Sequence, residues 1–317
     1  MNKKLKIVFL DRETAGSIEL VEKFSKYGEY IEYSNTKRDE IDDRIKDADV
    51  VILNGVKLSK GEIEKAQKLK LVLLSATGFN HIDVDAANKK GVIVSNVSGY
   101  STKSVAQLTI TMMLNELTKV TRYSDEVKNN KWNEITYSEH QNYPIDDIED
   151  KILGILGYGN IGKKVEKIAK VLGMKVMIAE IPGRKYDNNV KRYKLDDVLK
   201  KCDILSIHAP LNDLTRNLIT LDKMKIMKKN SIILNLGRGP IINEEDLYEA
   251  LKNNIIRSAA IDVMSKEPPK ENSKLFKLNN LTITPHIAWK SQKSLERLFE
   301  VVENNLKLFI EGKLKGL

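Results

Sequence analysis

Lys151-Ile-Leu-Gly-Ile-Leu-Gly-Tyr-Gly-Asn-Ile-Gly162 is an apolar, β-branched run that breaks into a glycine-rich turn. Val165, Ile168, Ala169 and Leu172 follow at the spacing of one helix face. Strand, turn and helix in that order are what a dinucleotide needs. Gly157, Gly159 and Gly162 permit a tight turn, close approach of backbone to a pyrophosphate and close helix packing, while the free N–H groups of the helix start attract phosphate. The next strand, Lys175 to Glu180, ends in a carboxylate suited to the ribose hydroxyls. Glu180 also repels a 2′-phosphate and so favours NAD over NADP; Arg184, just past Pro182-Gly183, can reach such a phosphate and pulls the other way.

Outward from this turn, the pattern alternates strands with helices. Lys151–Leu156, Lys175–Glu180, Asp203–His208, Ser231–Leu236, Ser258–Val263 and Leu281–Thr284 read as parallel strands, and Lys6–Leu10, Asp49–Leu53, Leu71–Ala76 and Val92–Asn96 as a second, N-terminal set. A long helix is expected over Ser101–Lys128, with Ile110, Met113, Leu114, Leu117 and Val120 on one face. Asn129–Asp150 reads as irregular. After Pro285 a last helix carries Leu295, Leu298, Val301, Val302, Leu306 and Phe309 as its apolar positions.

A chain of 317 residues suggests two domains. Its 41% hydrophobic and 31% charged residues exclude a disordered or collagen-like polymer. No apolar run reaches the ~18 residues of a membrane span, so no membrane partner is expected. The excess of 53 basic over 44 acidic residues is spread through nearly every helix, and aromatics are only 6%, which argues for a solvated surface and against nucleic acid. The lone Cys202 rules out an internal disulfide and fits a reducing cytoplasm.

Ligands in doubly wound sheets collect beyond the carboxyl ends of the strands. Arg238, Glu267 and His286 each fall just past such an end. Singly, each has an ordinary structural explanation: a solvated arginine, a turn-capping glutamate, a histidine satisfying backbone. Together, beside a nucleotide motif, they read as chemistry. Hydride transfer to a carbonyl needs a proton donor, for which imidazole is suited near neutrality. A carboxylate beside it favours the charged ring, and a guanidinium can grip a substrate carboxylate. His286, Glu267 and Arg238 are assigned those roles. His208, before Pro210, either packs against the cofactor or does chemistry; His81 and His140 compete less well. No metal is required.

Leu153–Gly162, His208-Ala-Pro-Leu-Asn-Asp-Leu-Thr215, Asn235-Leu-Gly-Arg-Gly239, Asp262-Val-Met-Ser-Lys-Glu-Pro268 and Thr284-Pro-His-Ile-Ala-Trp289 follow in the order and spacing of one family's signatures. Over nearly its whole length the chain resembles the D-isomer-specific 2-hydroxyacid dehydrogenases. The resemblance implies an α/β protein with two Rossmann-like, doubly wound parallel-sheet domains and an active site in the cleft between them. Residues 1–100 plus 290–317 would form a flavodoxin-like substrate domain and 101–289 the NAD-binding domain, with Ser98–Ser101 and Ala288–Lys290 as hinges.

By the same resemblance Asn160 and Ile161 meet the pyrophosphate and Glu180 the adenosine ribose. His208, Pro210, Leu236, Gly237, Asp262 and Ala288 line the rest of the cofactor. Asn54, Gly55, Val56, Thr77 and Gly78 offer N–H groups to the substrate carboxylate, alongside Arg238 and His286. Gly237 stands where alanine is usual, and Gln107 and Asn243 where acids are common. Ile181–Arg184 and His286–Trp289 look most like glycerate dehydrogenases, also called hydroxypyruvate reductases. The expectation is NADH-dependent reduction of hydroxypyruvate or glyoxylate by a homodimer. The rivals are 3-phosphoglycerate dehydrogenation and a non-catalytic, NAD(H)-sensing corepressor or scaffold.

Overall fold

The computed structural model describes residues 4–132, 144–187 and 189–317. His140 and half of the Asn129–Asp150 stretch lie outside them. The chain divides into two units: 1–101 with 290–317, and 102–289.

The first unit holds β1 (Leu5–Phe9), β2 (Gly28–Glu32), β3 (Val50–Leu53), β4 (Leu71–Leu74) and β5 (Ile93–Ser95), all parallel in the order β2-β1-β3-β4-β5. β3 and β4 are buried along their whole length, as strands covered on both faces must be. The sequence reading misses β2. Its Gly-Glu-Tyr-Ile-Glu is half exposed because it pairs with β1 on one side only, so it has no continuous apolar run.

The helix Gln292–Ile310 belongs to this unit and starts at Ser291, whose side chain accepts from the Ser294 N–H. It buries Leu295, Leu298, Phe299, Val302 and Leu306, and the Phe299 ring lies 5.9 Å from that of Phe9. Each such side chain contributes on the order of 2 kcal/mol. Val301 is 38% exposed, contrary to expectation; the buried stripe passes through Phe299 instead. Glu303 on the same helix accepts hydrogen bonds from Lys23 and Tyr27, both at 2.9 Å.

The second unit holds β6 (Ile152–Leu156), β7 (Lys175–Ala179), β8 (Ile204–Ile207), β9 (Ile232–Asn235), β10 (Ser258–Ile261) and β11 (Leu281–Ile283). They form one parallel sheet in the order β11-β10-β9-β8-β6-β7. Outside β7, Tyr193 makes a one-residue parallel bridge to Ala179, with Glu180 N–H to Tyr193 C=O and Tyr193 N–H to Ile178 C=O both 2.9 Å. The third strand of a dinucleotide fold has shrunk to that bridge, and the order reverses between β6 and β8. Apolar layers cover both faces: Val198, Leu199, Leu205 and Ile207 on one, Met113, Leu153, Val165 and Leu234 on the other.

The expected helix over Ser101–Lys128 is two helices, Thr102–Thr118 and Val120–Lys128. Lys119 between them has φ of 55°. Ile110, Met113 and Leu117 are buried as expected, but Val120 is 61% exposed, because the left-handed turn rotates the second helix away from the first one's apolar face. Of the departures noted, Gln107 is exposed, and Asn243 caps the helix Glu244–Lys252 by accepting from the Glu245 and Asp246 N–H groups.

Candidate active site

Between the ends of β6 and β8 lies a cavity of about 440 Å3, lined by Gly157, Tyr158, Gly159, Ile181, Arg184, Tyr186, Arg192, His208 and Pro210 among others. That size is within the ~300–1,000 Å3 of small-ligand pockets. The three glycines divide the work. Gly157 has φ of 99°, and a Cβ there would lie 2.3 Å from the Ala209 nitrogen. At Gly162 a Cβ would meet the Gly157 carbonyl at 2.4 Å. At Gly159 it would meet nothing within 4 Å, which leaves the helix Asn160–Val171 open to an anion at its start.

His208 donates or accepts with Ser206 Oγ at 2.8 Å, and its Nδ1 is buried with no partner among the described residues. Burial pushes its pKa down to about 4, so the ring is neutral at pH 7. The open glycine, the orphaned ring nitrogen and the cavity fit a bound nucleotide. Arg184, Lys185 and Arg192 give this cavity a basic wall, with the two guanidinium groups 5.4 and 4.3 Å from the Tyr186 ring. Of these only Arg184 was singled out from the sequence. Glu180, Asn160 and Ile161 border the turn without lining the cavity.

Farther along the same sheet edge, His286 Nδ1 and Glu267 Oε2 are 2.5 Å apart. The other Glu267 oxygen accepts from the Met264 N–H at 2.9 Å. Burial alone would raise the Glu267 carboxyl; hydrogen bonds from His286 and Met264, with the nearby charges of His286 and Arg238, outweigh it and hold the group below its ordinary value. The structure thus joins Glu267 to His286 directly and places Arg238 within electrostatic reach. Arg238 Nη1 meanwhile donates to the Gly237 carbonyl at 2.8 Å.

Asp262 sets this geometry. It is 1% exposed; Oδ1 accepts from Thr284 Oγ1 at 2.5 Å and the Ile287 N–H at 2.9 Å, and Oδ2 from the Ala288 N–H at 2.9 Å. The loop so held presents His286 at φ of 53°, a conformation uncommon for a residue other than glycine. Both polar groups of Ala288 are engaged, its N–H by Asp262 at 2.9 Å and its carbonyl by Ser104 Oγ at 2.6 Å. Asn235 holds the neighbouring turn, accepting from the Gly237 N–H and donating to the Arg238 carbonyl, both at 3.1 Å. At Gly237 a Cβ would approach the Ala209 carbonyl to 3.1 Å, a tight contact. Leu236 is buried.

In the first unit one expectation is corrected. The Asn54, Gly55 and Val56 N–H groups are not open to a substrate, because the Asp11 carboxylate accepts from all three, at 2.8, 2.7 and 3.3 Å. Burial raises the Asp11 carboxyl above its ordinary value, and the N–H groups of Gly55, Asn54 and Val56 oppose that rise. The N–H groups of Thr77 and Gly78 have no partner among the described residues. Burial pushes the His81 imidazole below its ordinary value, and its Nε2 is buried without a partner among the described residues. Asp11 went unnoticed in the sequence, its only signal being an acid at the end of the first strand.

Among the described residues no group of His, Cys, Asp and Glu could hold a metal ion, and no helix is long and apolar enough to cross a membrane. Cys202 is buried, and burial pushes its thiol up to about 12.

Residues 110–288 match the family model of the D-isomer specific 2-hydroxyacid dehydrogenase NAD binding domain. The chain is 34% identical to a glycerate dehydrogenase of Methylorubrum extorquens, covering 97% of each protein. It is 36% identical to a hydroxypyruvate reductase of Blautia hydrogenotrophica, covering 90% of each. Among solved structures it is similar to a D-lactate dehydrogenase of Aquifex aeolicus complexed with NAD and lactic acid, with a TM-score of 0.82 and 26% identity over 97% of this chain and 96% of that one. The chain belongs to the D-isomer specific 2-hydroxyacid dehydrogenases, an NAD-dependent oxidoreductase family, and its second unit carries their NAD-binding domain.

Proposed function

We propose that the protein reduces a small 2-keto acid with NADH, hydroxypyruvate to D-glycerate first and glyoxylate to glycolate second. The observation that carries this reading is the 2.5 Å pairing of His286 with Glu267 at the strand ends of the NAD-binding unit. NADH, when bound, supplies the hydride. Arg238 grips the substrate carboxylate and polarises the neighbouring carbonyl. His286 gives its proton to the oxygen as negative charge develops there. Glu267 favours the charged imidazole and fixes which ring nitrogen faces it. In the first unit, Thr77 and Gly78 offer the open N–H groups. Gly157, Gly159, Asn160 and Ile161 hold the phosphates and Glu180 the ribose. The relatives' names support the substrate choice.

Steady-state rates with hydroxypyruvate, glyoxylate, pyruvate and 3-phosphohydroxypyruvate, each with NADH and NADPH, test the proposal. Hydroxypyruvate with NADH should give the largest kcat/KM. A dominant rate on the phosphorylated acid would replace the substrate assignment, and NADH binding without turnover would favour a sensor or scaffold. A cytoplasmic homodimer belongs to the same proposal, supported by family membership and the buried lone thiol; sedimentation equilibrium checks the assembly.

A further inference from the structure

The first unit's sheet reverses its strand order between β1 and β3, which is where such a sheet opens a crevice for a ligand. Asp11 stands there, two residues past β1 and 7% exposed. Three successive N–H groups after β3 converge on its carboxylate, and Oδ1 and Oδ2 both accept, Asn54 N–H lying 2.8 and 3.0 Å from the two oxygens. Consecutive backbone N–H groups pointing into one concavity form an anion-binding nest. An acceptor whose oxygens face only donors is an ionised carboxylate. The crevice therefore already contains its anion, and that anion is part of the chain.

On the adjoining strand, the loop after β4 is tied to this nest. Asn54 Nδ2 donates to the Ser75 carbonyl at 2.6 Å, and Ser75 Oγ to the Leu53 carbonyl at 3.1 Å. Thr77 Oγ1 donates to the Val97 carbonyl at 2.8 Å, which braces the loop from the β5 side. One filled and one open set of donors thus follow two neighbouring parallel strands, β3 and β4. A small acid whose C1 carboxylate sits on Thr77 and Gly78 therefore has the filled set on the adjoining loop.

We propose that Asp11 is a specificity-determining residue: by filling the nest at Asn54–Val56 with an internal carboxylate, it makes the enzyme select 2-keto acids with one negative charge and reject those carrying a second anionic group at C3, such as phosphorylated or dicarboxylic acids. This rests on the function proposed above. A phosphate at C3 meets a fixed negative charge where it would otherwise find three N–H donors. A hydroxyl at C3 meets an acceptor.

The test compares wild type with Asp11→Ala, which empties the nest, and Asp11→Asn, which keeps its shape and removes the charge. The ratio of kcat/KM for hydroxypyruvate to that for 3-phosphohydroxypyruvate should fall at least tenfold in Asp11→Ala and by less in Asp11→Asn. Independently of turnover, inorganic phosphate should raise the Tm of Asp11→Ala by more than that of wild type, the nucleotide turn at Gly157–Ile161 being common to both. If both KM values rise together and the ratio holds, Asp11 only braces the loop and the proposal fails. It fails equally if phosphate stabilises Asp11→Ala no more than wild type. Should Asp11→Ala not fold, the ratio in Asp11→Asn decides. Wild type inactive on every 2-keto acid would sink the functional reading alone, since the phosphate measurement would still report on the nest.

Discussion

Asp262 and His286 do not touch, yet the carboxylate of the first dictates the backbone of the second: its two oxygens clamp Thr284, Ile287 and Ala288 around the left-handed turn at His286. The imidazole reaches Glu267 from that turn. A buried acid with no evident reacting partner thereby becomes the support on which the proposed proton donor is built.

His286→Ala removes the proton donor and leaves the nucleotide cavity between β6 and β8 intact. Turnover should fall by on the order of 10²–10⁴, while NADH affinity, read by fluorescence titration, changes little. Turnover at the wild-type level would take His286 out of its role.

Glu267→Gln keeps the shape and deletes the charge that favours a protonated ring. The acid limb of the pH profile, where Glu267 titrates in wild type, should change in the variant. In wild type the Glu267 carboxyl lies below its ordinary value, so the pair persists as pH falls through that value and breaks only in stronger acid. A pH profile of the variant that overlays the wild type would contradict the pairing.

Asp262→Ala would strand the Ile287 and Ala288 N–H groups, Ala288 being 4% exposed. A cost on the order of 2 kcal/mol is expected, measured by urea denaturation, together with a loss of kcat greater than the rise in KM. A variant of unchanged stability would mean that other groups hold the loop.

Gly157→Ala and Gly159→Ala should separate folding from binding. The first forces a Cβ to within 2.3 Å of backbone nitrogen at a φ of 99°, so the second unit should lose stability. The second enters open space and should fold normally but bind NADH more weakly. Equal melting temperatures for the two would contradict this division.

Glu303→Gln probes the return helix. Burial would raise Glu303, but hydrogen bonds from Lys26, Lys23 and Tyr27 and the Lys23 charge hold it down at about 2. Its contribution to stability is full above the ordinary carboxylate range and is lost as pH falls toward that lower value. The Tm gap between variant and wild type should be widest near neutrality and close in strong acid.

The strands β3, β4, β6, β8, β9 and β10 are legible in the amino-acid order because each is short, apolar and largely buried, β7 and β11 are legible as apolar runs at the two ends of their sheet, and the glycine turn at Gly157–Gly162 follows from steric need. β2 was not legible, since its Gly-Glu-Tyr-Ile-Glu carries no apolar run, nor was the break at Lys119, where nothing in the residue type forces a left-handed turn. Arg238, Glu267 and His286 could be nominated by their places after three strands. That Glu267 meets His286, and that Asp11 takes the N–H groups expected for a substrate, were decided only when β1 and β3, and β9 to β11, came side by side. Periodicity and turn chemistry are local properties and can be read along the chain; which carboxylate fills which nest depends on contacts between residues 19 to 45 positions apart, and those exist only in the folded molecule.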